Sequence, residues 1–328
     1  MNTYDLYDVG PATDIMILST ANQHYKGIQR LPDRDQSGTP VAAYQVQTPD
    51  QARDVFRRFD ATRYSLYVDV ERKQNLDLIK LARATVKNAR IHIIKPNDIT
   101  VDACFALLDH HIGHGITNAT VTVVGAGNIG FKLALRLAEV GAKVGLTGRD
   151  PARVYRLVDA ANTALPRFTP HKVANRPIPN SNVLISAVAA ADIITQDHIA
   201  ILAPEGALCI DVGIGNLAPT FIREATRHGH TCVRLDVRSA GNPLPSHPNS
   251  FFSDVAGRTR IGESDLVAGG LIGMRGEVVV DAIKGPRKII GLASGTGTLI
   301  PEDDWTQEQR TRVAELRNVI QANRPREA

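Results

Sequence analysis

The segment Gly125-Ala126-Gly127-Asn128-Ile129-Gly130 follows a β-branched run, Val121–Val124, and opens a helix-patterned stretch, Phe131–Val140. Glycines at this spacing have a definite use. The first, Gly125, allows a tight turn, and the second, Gly127, lets backbone approach a pyrophosphate. The third, Gly130, lets the helix pack against its strand, and the phosphates rest on the positive helix end. Asn128 and Ile129 fill the turn, and small Ala134 and Ala138 favour close packing on a sheet. A strand, turn, helix and second strand in this order predict a dinucleotide site. The acidic residue expected about 20 positions later, to accept from a ribose 2′-hydroxyl, is missing. Thr147-Gly148-Arg149 stands there instead. A hydroxyl and a guanidinium suit a phosphate, so NADP (NADPH) is expected over NAD. Asp150 has two readings: a displaced ribose acceptor, or, because Pro151 follows it, the cap of the next helix.

Other chemistry-bearing residues cluster at the ends of apolar runs. Ala187 and Val188, with Val212 and Gly213, end two buried strands. Ligands of open α/β sheets lie at such carboxyl edges, so these four are expected to form an apolar slot beside the nicotinamide. Ser19, Thr20, His24 and Lys26 follow the first strand, as a grip for a substrate carboxylate or as an ordinary polar loop. Lys95, with Asn97 and Asp98, sits at another strand end. Arg238 and Arg275 are cations for an anionic substrate or cofactor phosphates, or solvated surface. Segment 238–250 holds three prolines and reads as a long loop, a lid or a substrate determinant. His110 and His114 have i, i+4 spacing, but no carboxylate pattern completes a site, so no metal is expected.

Holding these residues requires alternating strands and helices. Strands are expected at 14–19, 41–46, 65–70 and 91–94, with helices at 48–59 and 76–87 between them. A second series starts after Gly115-Ile116-Thr117-Asn118. Its strands are at 120–125, 143–147, 182–187, 207–211 and 231–236, with helices near 128–140, 151–163, 195–202 and 219–228. The pattern predicts an α/β protein with an N-terminal α/β substrate domain, residues 1–117, and a doubly wound Rossmann domain, residues 118–302. Val101–His111 reads as the joining helix, and an amphipathic C-terminal helix in 303–328 is expected to pack back on the first domain.

With 328 residues the chain is long enough for two cores. Basic residues are scattered and aromatics make up 5%, so no nucleic-acid stacking platform is expected. Cys104, Cys209 and Cys232 are far apart, without a CxxC, which argues against a disulfide framework or a zinc site. The opening MNTYDLYDVG lacks a basic, apolar leader, and no apolar run approaches the ~20 residues of a membrane span. A cytoplasmic protein acting on a small molecule is expected, with no nucleic acid or membrane as partner and a homodimer as the common default.

The order of parts resembles the shikimate dehydrogenase and methylene-tetrahydrofolate dehydrogenase group of two-domain oxidoreductases. "VTVVGAGNIG…VGLTGRDPARV" is similar to the shikimate-type glycine turn and its phosphate loop. "NVLISAV…APEGALCIDVGI" and "AGGLIGMRG" are similar to folate-type stretches, the latter implying that Gly270 lies near the cofactor. "YVDVERK" falls where shikimate dehydrogenases carry a catalytic lysine, and "TVDACFALL" where they carry an aspartate. The resemblance thereby implies Lys73 as acid/base and Asp102 as its orienting partner. The family's Ser-Leu-Ser-Pro is replaced by "LSTANQHYKG", which argues against shikimate itself. The expected activity is hydride transfer to or from a C–O or C–N carbon of a small, polar, carboxylate-bearing metabolite, in biosynthesis. A folate- or pterin-type one-carbon dehydrogenase and a noncatalytic NADP-binding sensor are the alternatives.

Overall fold

The computed structural model describes residues 6–20, 27–36, 39–72, 75–112, 115–240 and 254–322. The chain divides into two compact units, Met1–Leu244 and Pro245–Ala328. The first unit contains two five-stranded sheets.

Strands β1 (Asp14–Ser19), β2 (Gln29–Gln36), β3 (Thr39–Val46), β4 (Ser65–Asp69) and β5 (Arg90–Ile94) form the first sheet, in the order β2-β3-β1-β4-β5. All pairs are parallel except β2 with β3. Period-two alternation sends Ile15 and Ile17 into one core, with Phe56 and Ala82 of the helices α1 (Pro49–Arg58) and α2 (Leu78–Thr85). Met16 and Leu18 enter a smaller cluster with Ala43, Tyr67 and Ile94. The Thr-Pro-Asp start acts as expected: the Thr48 side chain accepts from the Gln51 N–H at 3.3 Å. The β2 strand, for which the sequence pattern gives no sign, is an edge strand that carries Pro32 and a register shift between Leu31 and Arg34.

Helix α3 (Pro96–His111) leads into the second sheet and starts five residues before the expected Val101. This sheet is built of β6 (Thr120–Val124), β7 (Lys143–Thr147), β8 (Val183–Ser186), β9 (Leu208–Asp211) and β10 (Thr231–Arg234). All are parallel, in the order β10-β9-β8-β6-β7. Helices α4 (Asn128–Glu139) and α5 (Pro151–Ala164) cover one face and bury Leu133, Leu137, Val154 and Val158 on it. Helix α6 (Pro219–Arg227) buries Phe221 and Ala225 on the other, against Leu184 and Cys209. This is the doubly wound arrangement expected. The α3 helix buries Val101, Cys104 and Leu108 in the α4/α5-side core, so it belongs to this layer and not to the first domain.

The Rossmann domain is expected to run to residue 302, and the chain divides into units between Leu244 and Pro245. After β10 the chain builds a separate sheet in the second unit from β11 (Arg258–Ile261), β12 (Ser264–Ala268), β13 (Val278–Val280), β14 (Ile289–Ala293) and β15 (Leu299–Ile300). Helix α7 (Gln307–Ala322), expected to pack on the first domain, contributes to a core of its own unit. Its Val313, Leu316 and Ile320 share a core with Leu266, Val278, Leu292 and Trp305 of its own unit. No helix among the described residues is long and apolar enough to cross a membrane.

Candidate nucleotide and substrate site

The glycine turn lies between β6 and α4, and its glycines differ in what constrains them. A Cβ on Gly130 would sit 1.8 Å from the Gly125 carbonyl oxygen, and one on Gly125, at φ +124, would sit 2.5 Å from that of Ala187. These two close the turn. A Cβ on Gly127 would meet nothing within 4 Å, so this backbone faces open space. Gly127 caps α4 with no side-chain hydrogen bond to the first turn. A helix start whose first N–H groups have no acceptor among the described residues, beside an open backbone, fits a pyrophosphate. Asn128 is exposed, and Ile129 packs on the sheet core.

At the end of β7, Gly148 brings the next turn close: a Cβ there would lie 3.0 Å from that of Ala126. Thr147 is half-buried, and its hydroxyl donates to the Val123 carbonyl at 3.3 Å, so the sheet already engages it. Arg149 is exposed. Asp150 resolves in favour of the cap, accepting from the N–H groups of Ala152 and Arg153 at 3.0 and 3.1 Å. Arg153, which the sequence reading gives no role, lays its Nε 2.9 Å from the Ala126 carbonyl. Its spacing of four from Arg149, across a capped helix start, was the available signal.

The ends of β8 and β9 are knitted together. Asn216, fully buried, donates to the carbonyls of Val188 (2.9 Å) and Ala190 (2.7 Å). Its Oδ1 accepts from Ser186 Oγ (2.8 Å) and the Val188 N–H (3.1 Å). The Asp211 carboxylate accepts from the N–H groups of Ile214, Gly215 and Asn216 at 2.7–3.0 Å. Gly213 is obligatory, because a Cβ would approach the Val188 oxygen to 2.1 Å. Ala187, Val188, Val212 and Gly213 are half-buried, as a shelf requires. An acid at a strand end followed by Gly-x-Gly was the legible sign of this cap.

On the first sheet, buried Asp69 ends β4 and accepts from both the N–H (3.0 Å) and Oγ (2.7 Å) of Ser19, and from the Glu71 N–H (2.7 Å). Ser19 is thus a buried tie between β1 and β4, not a free substrate grip. Glu71 Oε2 accepts from the Asn97 N–H at 2.9 Å, capping α3. Asn97 in turn donates from Nδ2 to Asn128 Oδ1 at 3.2 Å, joining the start of α3 to the start of α4. Beside them Lys95 Nζ lies 2.6 Å from Asp98 Oδ2, and Lys132 contacts the other oxygen. Burial alone would raise the Asp98 carboxyl, but the two ammonium groups outweigh it and hold the pKa below the ordinary aspartate value. The Asp98 hydrogen bond and charge hold the Lys95 pKa above its usual range.

Asp102 is exposed on α3 and ion-paired with Arg136 of α4. Lys73, Lys26, His24 and His114 lie outside the described residues, as do positions 241–250 of the expected lid. Gly270 lies in the second unit after β12, not in the nucleotide sheet, and its N–H bonds the Val255 carbonyl at 2.8 Å. Arg238 pairs with Asp236. His111 Nδ1 is 3.0 Å from the Leu107 carbonyl, and among the described residues no group of three or more His, Cys, Asp or Glu side chains could hold a metal.

One family model matches part of the chain. Residues 107–221, from the end of α3 to the start of α6, match the family model described as shikimate / quinate 5-dehydrogenase. The likeness to shikimate-dehydrogenase-like oxidoreductases is thus present in the nucleotide domain. Among solved structures, shikimate dehydrogenase from Aquifex aeolicus is 14% identical, with a TM-score of 0.42 over 69% of this chain and 88% of that one. L-tryptophan dehydrogenase from Nostoc punctiforme is 16% identical, with a TM-score of 0.39 over 71% and 73%. A dipicolinate synthase component from Bacillus halodurans is 18% identical, with a TM-score of 0.33 over 60% and 67%. No curated protein sequence matches the chain.

Proposed function

We propose that this chain is a nicotinamide-nucleotide oxidoreductase that prefers NADP and transfers hydride to or from a C–O or C–N carbon of a small carboxylate-bearing molecule. The observation that carries the reading is the open backbone of Gly127 at the uncapped start of α4, with Arg149 and Arg153 at the neighbouring turn. Arg149 and Arg153 would hold the 2′-phosphate, and the first-turn N–H groups of α4 the pyrophosphate. Bound nicotinamide would supply or accept the hydride.

The chain's own residues would handle the proton. When a carbonyl or imine carbon gains hydride, its oxygen or nitrogen must gain a proton, and an ammonium held by a carboxylate can deliver it. Lys95 with Asp98 is a lysine–aspartate pair in contact, one residue from the Asn97–Asn128 bond that reaches the nucleotide helix. The Asp98 contact keeps this ammonium charged and fixes its position, so a proton is available there. This supports Lys95 as the proton donor. Lys73, the position that the resemblance implies, is the rival, and Asp102 would then act through its ion pair on α4.

Fluorescence titration with NADPH and NADH, followed by NADPH oxidation against ketones, imines and oxo-acids, tests the reading. NADPH should bind more tightly, and Arg149→Ala with Arg153→Ala should remove that preference. Failure to bind NADPH would end the proposal. Binding without turnover of any compound would favour a noncatalytic sensor. With turnover established, Lys95→Ala should abolish it if Lys95 is the donor. An unchanged rate there, with Lys73→Ala inactive, would move the role to Lys73.

A further inference from the structure

A cleft of about 500 Å³ opens within the first unit between β2, represented by Leu31 and Pro32, and the carboxyl ends of β9 and β10. The nucleotide domain contributes Ile214 and Arg234 to its wall. Volumes of this order suit a small-molecule ligand, and carboxyl edges of parallel strands are where such ligands lie.

Two features of the wall lack a structural purpose in the fold. Ile214 is a β-branched residue at φ +67, a region such side chains rarely occupy, and it is 62% exposed. The Asp211 carboxylate, by accepting from the N–H groups at 214, 215 and 216, holds the backbone in that conformation. Glycine would fit there without strain, as Gly215 at φ +80 does next to it. The sequence instead presents a large apolar side chain to the cleft, and strain of this kind concentrates at ligand sites. Arg234, at the end of β10, has no acceptor among the described residues, whereas the neighbouring Arg238 is occupied by Asp236 with its Nε 2.8 Å from Oδ2. Among the described lining residues the cleft thus combines an unclaimed guanidinium with the apolar side chains of Ile214, Leu31 and Pro32.

We infer that this cleft takes a monocarboxylate on an apolar body, with Arg234 binding the carboxylate and Ile214 packing on the body. The inference rests on the oxidoreductase reading for the cleft's place as the substrate side, and it narrows the substrate class. A planar guanidinium pairs with a carboxylate through two parallel hydrogen bonds, which a neutral amide cannot reproduce.

The test uses phenylacetate and phenylacetamide as probes, titrated calorimetrically into the full chain, so that turnover is not required. Phenylacetate should bind at least about 10-fold more tightly than the amide, a difference expected for a forked charge-assisted contact. Arg234→Ala should erase that difference, and Arg234→Lys should restore part of it. Ile214→Gly should weaken both probes while leaving the thermal midpoint unchanged or raised, since the strain is relieved. Equal affinity for the two probes, no binding of either, or discrimination that survives Arg234→Ala would each overturn the inference. NADPH titration of the same samples separates the two failures. A protein that binds NADPH but does not discriminate the probes loses only the substrate class, and one that does not bind NADPH loses the oxidoreductase reading.

Discussion

Gly127 and Gly130 look alike in the sequence, yet their surroundings assign them different work. Gly130 is needed by the fold, because any Cβ would overlap the Gly125 carbonyl. Gly127 is at φ −96 in open space, a backbone that alanine adopts readily. Gly130→Ala is therefore expected to cost about 1–3 kcal/mol of stability in urea unfolding, the usual range for overpacking. Gly127→Ala should leave stability within about 1 kcal/mol while lowering NADPH affinity at least about 10-fold, because the methyl occupies the ligand's approach. Equal losses of stability in the two variants would count against the assignment of Gly127 to ligand. The spacing and the different work of the three glycines were both legible; the steric cost at each was not, since it depends on the Ala187 and Gly125 carbonyls that tertiary packing brings near. Arg153 went unread for a related reason. Its contact is with Ala126, 27 residues earlier, and its spacing from Arg149 hints at a shared face without disclosing that partner.

At the level of elements, apolar periodicity located the parallel strands because their side chains are buried, and it faltered where burial is partial. The β2 strand reads Gln-Arg-Leu-Pro-Asp-Arg-Asp-Gln, a charged edge strand with a proline, which carries almost no strand pattern. The start of α3 was placed late because its first turn is polar and occupied with capping: Glu71 accepts from Asn97, and Lys95 pairs with Asp98. A comparable polar clamp ties two loops of the first domain. Asp60, just after α1, accepts from the backbone N–H groups of Lys87, Asn88 and Ala89 at 2.6–3.0 Å. Desolvation would raise this carboxyl, but the N–H groups outweigh it and lower the pKa. The native value thus lies below the unfolded one. The stabilisation is complete above the unfolded pKa, about 3.9, and is lost as pH falls through the native value. Asp60→Asn should cost about 1 kcal/mol at pH 7, a modest figure because the site is near solvent. The difference from the parent chain should shrink as unfolding is measured at pH 4 and then pH 3. A constant difference across that range would exclude the carboxylate as its source.

At the scale of the whole molecule, periodicity showed that residues 303–323 form an amphipathic helix but not which sheet it covers. The buried face of α7 is Val313, Leu316 and Ile320, and any apolar sheet face would accept it. Its partner was settled by a third sheet of short strands, among them Arg258–Ile261, mixed in polarity, and Val278–Val280, apolar but only three residues long, which sequence pattern does not distinguish. The nucleotide turn, the Asn216 lattice and the Arg234 cleft all lie before residue 245, whereas the α7 core lies after it. Perturbing that core should therefore separate stability from nucleotide binding. Leu316→Ala is expected to cost about 2–4 kcal/mol, as for other large-to-small changes in a packed core. The loss should appear as an earlier transition in thermal unfolding followed by calorimetry, with NADPH affinity at low temperature changed by less than about threefold. A parallel collapse of NADPH affinity under folding conditions would show that the second unit contributes to the nucleotide site, and would return Gly270 to the cofactor-binding residues.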